Sequence, residues 1–196
     1  PTEIAVLADS SAIAADVAAD LISQAEHDEA AASVLVTDSV ELANAVINEL
    51  TDIVSATSSS TRVRAALEGQ QSAVVLVDDI AAGISFANFY ATEHLELHTQ
   101  DNEAVLSKIT NAGAIFMGEY SPVSLGDYLA GSSHVLPTGQ QAKFGSGLGV
   151  HSFLRPQQVI DYDKQGLQAV AQLVADFSAA EGLPAHGEAV TARFDA

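Results

Sequence analysis

The sequence predicts an α/β fold built on an open, mostly parallel sheet with flanking helices, followed by a helical C-terminal tail. Three observations carry that expectation. Short β-rich apolar runs alternate with stretches of helical periodicity over roughly the first 120 residues. The runs are near-continuously apolar, as strands covered by helices on both faces must be. Hydrophobic residues make up 48% of the 196-residue chain and charged residues only 17%, enough apolar side chain for a large core and too much for a disordered chain.

The elements follow in order. Glu3–Ala8 (EIAVLA) reads as the first strand. A helix is expected over Ser11–His27, where Ile13, Val17, Leu21 and Ile22 mark an apolar stripe, Ser11 stands where it can cap, and Asp16 and Asp20 are spaced for the surface. Ser33–Thr37 gives the second strand, and Val40–Val54 a second helix through Leu42, Val46, Ile47, Leu50 and Val54. Ser72–Val77, Leu95–His98 and Ala114–Met117 complete the strands, with shorter helices over Asp78–Ala91 and Asn102–Ile109. The resulting order, β-α-β-α-α-β-α-β-α-β, is that of an incomplete Rossmann-like sheet.

The chain then changes character. Gly118–Val150 holds seven of the 13 glycines together with Pro122 and Pro137, and a long irregular stretch of this kind is usually functional. Helical periodicity returns over Asp163–Arg193, with Leu167, Val170, Ala171 and Val174 on one face and Gly182-Leu183-Pro184 as an interruption. This tail has too little apolar surface to fold alone, so it is expected to dock on its own domain or on another subunit.

Seven basic against 26 acidic residues give a net charge of −19, which phosphate backbones and anionic lipid would repel. Nucleic-acid and membrane-surface partners are therefore not expected. The absence of cysteine removes disulfides, thiolate metal sites and a cysteine nucleophile, and suits a cytoplasmic setting. The longest apolar runs, Ile4–Ala8 and Ala73–Val77, are five residues each, too short for a transmembrane helix or a signal-peptide core. The chain begins at Pro1 directly before a strand, which reads as a piece of something longer.

Four polar constellations stand out. Gln24 and His27, at i and i+3 near the end of the first helix, can set an amide oxygen and an imidazole on one ion, or simply form a polar helix end. In Glu93-His94-Leu95-Glu96-Leu97-His98, strand alternation puts His94, Glu96 and His98 on one face; Glu93 and His94 read as two proton-transfer groups or as a polar strand edge. Asp127 and His134 lie among glycines as a carboxylate–imidazole pair or as surface-loop residues. Glu181 and His186 straddle a turn in the tail and either reach a neighbour's site or stay in solvent. The glycines 145, 147 and 149 lack G-x-G-x-x-G spacing, and Ser146 has no evident base.

Taken in order, SQAEHD (23–28), ATEHLELH (91–98), NAGAIFMGEYSPVSLGDYLAGSSHVLPTG (111–139), FGSGLGVHSF (144–153) and EGLPAH (181–186), preceded by Pro1-Thr2-Glu3, resemble the C-terminal half of histidinol dehydrogenase. The resemblance implies an enzyme that oxidises L-histidinol through the aldehyde to L-histidine, using two NAD in turn. It implies zinc held by Gln24, His27, Asp127 and His186, His94 as general base, and Glu93 as the group that activates water. Thr2, Gln24, His27, His94, Asp127, His134, Glu181 and His186 match substrate-binding positions. It further implies that 1–148 form part of the zinc and catalytic domain, that 149–196 form a helical dimer arm exchanged between two subunits, and that the NAD-binding domain lies outside this chain. The missing N-terminal half is then a further partner. Two other readings are a related zinc- and NAD-dependent dehydrogenase for another small alcohol, and a zinc-binding, dimerising fragment without activity of its own.

Overall fold

The computed structural model describes residues 2–194. β1 spans Glu3–Ala8, β2 Ala32–Thr37, β3 Ala73–Leu76, β4 His94–His98 and β5 Ala114–Met117. All neighbours pair in parallel, in the order β3-β2-β1-β4-β5. Between the strands run α1 (Ala14–Ala25), α2 (Val40–Ala56), α3 (Ser60–Glu68), α4 (Ile80–Tyr90) and α5 (Asn102–Leu106). The element order is the one the sequence predicts. An all-parallel sheet needs a crossover helix between successive strands, and the apolar stripes of these helices supply the cover.

Side-chain alternation divides the core. Ile4, Val6 and Ala8 of β1 pack with Val17 and Leu21 of α1 and with Leu42 and Val46 of α2. Ala5 and Leu7 point to the opposite layer, where Leu95 and Leu97 of β4 meet Ile84 and Ala87 of α4. On β4, therefore, His94, Glu96 and His98 face the α1 layer while the leucines face the other.

Two local expectations are corrected. Ser11 does not cap α1: the cap residue is Ile13, without a side-chain bond. Ser11 instead donates both its amide and its hydroxyl to Asp9 Oδ1, closing a turn at the end of β1. Asp20 is not on the surface but only 8% exposed, because α1 is covered along more of its circumference than its apolar stripe marks.

After β5 the chain forms one short helix, α6 (Val123–Tyr128), and then runs irregularly with two single turns of 3-10 helix, Gln141–Lys143 and Val150–Phe153. The first compact unit ends at Phe153. The second begins at Leu154 and contains α7 (Lys164–Ala180) and α8 (Pro184–Thr191). Asp163 caps α7 through Gly166 N, and Gly187 of α8 packs against Ser178 and Ala175 of α7. Leu173 and Phe177 remain 59% and 70% exposed. Among the described residues no helix is long and apolar enough to cross a membrane.

Candidate active site

Most of the candidate residues gather at the amino-terminal edge of the sheet. Thr2 directly precedes β1, which Glu3 opens, Glu93 directly precedes β4, which His94 opens, and the crossover direction of α1 returns Gln24 and His27 to that same edge. Parallel pairing of Ile4 with His94 sets the beginnings of β1 and β4 side by side.

A chain of hydrogen bonds fixes the state of His94. Thr2 Oγ1 donates to Glu93 Oε2 at 2.6 Å, which commits its only proton. Its lone pair accepts from Gln24 Nε2 at 2.8 Å, so the amide of Gln24 turns Oε1 toward His94 Nδ1, 3.1 Å away. The carbonyl of Glu3 lies 3.2 Å from the same nitrogen. Two acceptors facing Nδ1 place the hydrogen there and leave Nε2 as a bare acceptor. His94 Nε2 is buried and has no partner among the described residues. Burial drives the His94 pKa below the usual imidazole range, and the Glu93 carboxylate only partly offsets it.

Asp127 stands opposite, near the end of α6. Its Oδ2 is 3.8 Å from His27 Nε2, and its Oδ1 is 3.2 Å from His134 Nε2 without the angle of a hydrogen bond, so Oδ1 too is buried and unsatisfied. The His134 ring stacks on His94 with centroids 5.6 Å apart, and one donor atom each from His94, Asp127 and His134 lie within 4.8 Å of one another. A groove of about 470 Å³ lined by His27, Arg62, Asp127 and Tyr128 opens beside them. Unsatisfied buried nitrogen and oxygen acceptors converging in this way fit a cation and a substrate carrying N–H and O–H groups.

Seven candidates thus share one region of the first unit: Thr2, Gln24, His27, Glu93, His94, Asp127 and His134. Glu181, at the C-cap of α7, and His186, in the first turn of α8, belong to the second unit and are exposed. Sequence reasoning missed two glycines. A Cβ at Gly113 would lie 2.5 Å from the Glu93 carbonyl oxygen, and one at Gly126 would lie 2.7 Å from the Phe116 ring. Both permit close approaches that set Glu93 and Asp127, and no periodicity announces them. It also assigned nothing to a second buried group, Asp20, Glu96 and His98, although strand alternation had already put Glu96 beside His94.

A family model described as histidinol dehydrogenase matches residues 1–194. The chain belongs to the histidinol dehydrogenase family. It is 64% identical over 194 residues to histidinol dehydrogenase of Leifsonia xyli subsp. xyli, covering 99% of this chain and 44% of that protein. It is 60% identical over 195 residues to the Corynebacterium glutamicum protein of the same name, again covering 44% of it. A crystal structure of histidinol dehydrogenase from Elizabethkingia anophelis superposes with a TM-score of 0.92 at 34% identity, over 100% of this chain and 45% of that one. The chain therefore spans less than half the length of the family members it matches, and the site described here is one part of a histidinol dehydrogenase architecture.

Proposed function

We propose that this chain supplies the metal-holding and acid–base half of an NAD-dependent enzyme that oxidises L-histidinol through L-histidinal to L-histidine, a step of histidine biosynthesis in the cytoplasm. The observation that carries the reading is the free, buried Nε2 of His94, held in its basic tautomer beside a carboxylate.

The alcohol proton passes to His94 Nε2 as the carbon is oxidised. A lowered pKa keeps that nitrogen unprotonated near neutrality, and the Nδ1 bonds to Gln24 and Glu3 hold the ring in place. Glu93 then orients and deprotonates the water that adds to the aldehyde; its Oε2 is anchored by Thr2 Oγ1 and Glu3 N, which leaves Oε1 for that task. Zinc would be held by Gln24, His27 and Asp127, with His186 from the exchanged tail. A glutamine oxygen has two lone pairs, so Gln24 Oε1 can serve both the ion and His94. The 3.8 Å gap between His27 and Asp127, too long for a hydrogen bond, supports donors that share an ion. When bound, zinc supplies positioning of the substrate's imidazole and amine. Thr2, His134, Glu181 and His186 complete the substrate contacts.

The glycines 145, 147 and 149 lie between two 3-10 turns rather than at the strand-to-helix turn a dinucleotide fingerprint occupies. The NAD site belongs to the remainder of the polypeptide, with 1–148 as the metal and acid–base portion and 149–196 as the arm. Apolar residues left open on α7, Leu173 and Phe177, support an arm that docks on a second subunit of a homodimer. The test is intact mass, zinc content and L-histidinol-dependent NADH formation on the same sample. Zinc with NADH from the longer polypeptide and zinc alone from this chain are expected; NADH from neither would overturn the assignment.

A further inference from the structure

Three buried titratable side chains have no part in the chemistry above. Asp20 of α1 is 8% exposed, Glu96 of β4 0% and His98 of β4 7%, and one ligand atom from each lies within 4.8 Å of the others. Glu96 is the hub. Its Oε2 lies 3.5 Å from His98 Nε2, and its Oε1 accepts a 3.0 Å hydrogen bond from the backbone amide of Val123, the first residue of α6. Asp20 contributes α1 to the same group.

Those three elements are the ones that carry the candidate site. Two residues before Glu96 on β4 stands His94; one helical turn after Asp20 on α1 stands Gln24, with His27 beyond it; one turn after Val123 on α6 stands Asp127. A six-residue helix has no stability of its own, so its position follows from what holds it. Val123 is 2% exposed in the α1 layer of the core, Gly126 lies against Phe116, and the Glu96–Val123 bond ties the helix start to the strand.

We propose that Glu96 is a positioning residue: by accepting the Val123 amide it sets the register of α6, and so places Asp127 opposite His27 and His94 for metal binding. This rests on the metal reading of Gln24, His27 and Asp127. Side chains that orient ligands from behind are worth roughly 10- to 100-fold in metal affinity.

The test uses the full-length polypeptide and two readouts. One is the affinity for Zn2+, with Co2+ as a spectroscopic probe; the other is hydrogen exchange of the α6 amides in metal-free protein. Glu96→Leu removes the acceptor and is expected to weaken metal binding by about 10-fold or more and to release α6 protection. Glu96→Gln keeps an acceptor oxygen and is expected to restore both. Val123→Pro deletes the donor at a first helical position where proline is tolerated, and Val123→Ala, which trims the buried side chain but keeps the amide, is its control. The proline variant is expected to behave like Glu96→Leu and the alanine variant to keep most of both properties, even if the leucine variant fails to fold. Wild-type protection and affinity in Val123→Pro, or a glutamine variant as weak as the leucine one, would overturn the proposal. A wild-type chain that protects α6 through Glu96 yet holds no metal would instead overturn the metal reading, and with it the proposed consequence for Asp127.

Discussion

His94 Nδ1 sits 3.1 Å from Gln24 Oε1, across 70 residues of sequence. The oxygen faces the ring because the amide nitrogen of Gln24 is already engaged by Thr2, whose own proton goes to Glu93. Three side chains and the Glu3 carbonyl therefore decide one tautomer, and the nitrogen left without hydrogen is the one that has no partner among the described residues.

The pH dependence of the first oxidation follows. The basic form of His94 exists above its pKa, and burial sets that pKa below the usual imidazole range. The acid limb of kcat/KM for L-histidinol is expected below about pH 6.5. His94→Gln should lower kcat by roughly 10²- to 10⁴-fold and abolish that limb. A limb that persists in the variant would assign the base elsewhere.

Glu93 acts later. Glu93→Gln retains an acceptor for Thr2 but cannot take a proton, so alcohol oxidation should continue while conversion of the aldehyde to the acid slows by about 10²-fold or more. Product analysis on the full-length enzyme checks this, with aldehyde accumulating and about one NADH formed per histidinol instead of two. Histidine formed at the wild-type rate would remove Glu93 from the role.

Zinc content separates the ligands. His27→Ala is expected to lose most bound zinc, whereas His134→Ala should keep it and raise the KM for histidinol. Metal analysis of the purified variants decides the matter; zinc unchanged in His27→Ala would sink the ligand assignment.

Gly113→Ala tests how tightly the start of β4 is fixed. The new Cβ would meet the Glu93 carbonyl oxygen at 2.5 Å, and because that atom is backbone the strand itself must move. A loss of about 1–3 kcal/mol in stability is expected from crowding of this kind, with a larger fall in activity than in zinc content. Thermal unfolding of the wild-type level would show that the strand end gives easily.

Asp20 ties stability to pH. Burial, reinforced by the Glu96 carboxylate, raises its pKa to about 7 from 3.8. The folded chain then holds a proton that the unfolded chain has released, so the stabilisation is complete below about pH 4 and is lost as pH rises toward 7. His98, whose pKa is also raised through Glu96 despite its burial, acts in the same direction above about pH 6.5. Asp20→Asn should flatten the slope, seen as a smaller Tm difference between about pH 5 and about pH 8. A slope equal to wild type would mean that Asp20 stays ionised in the folded chain.

The sequence alone determined the element order and the division of β4 into a polar and an apolar face. Hydrophobic period is a local property: it needs only neighbouring residues and one covering layer, as the stripe of Val17 and Leu21 shows. Adjacent Glu93 and His94 were legible for the same reason. Tertiary structure decided the rest. Asp20 reads as surface because a stripe marks only the most apolar face, whereas α1 is covered more widely and buries a carboxylate among polar partners. Ser11 reads as a cap, but Asp9 competes for its hydroxyl. The tautomer of His94, the unsatisfied oxygen of Asp127 and the clamp of Glu96 on Val123 each join residues from separate elements. A hydrogen bond forms only at about 3 Å and within a narrow angle, and that precision comes from the packed fold, not from spacing along the chain.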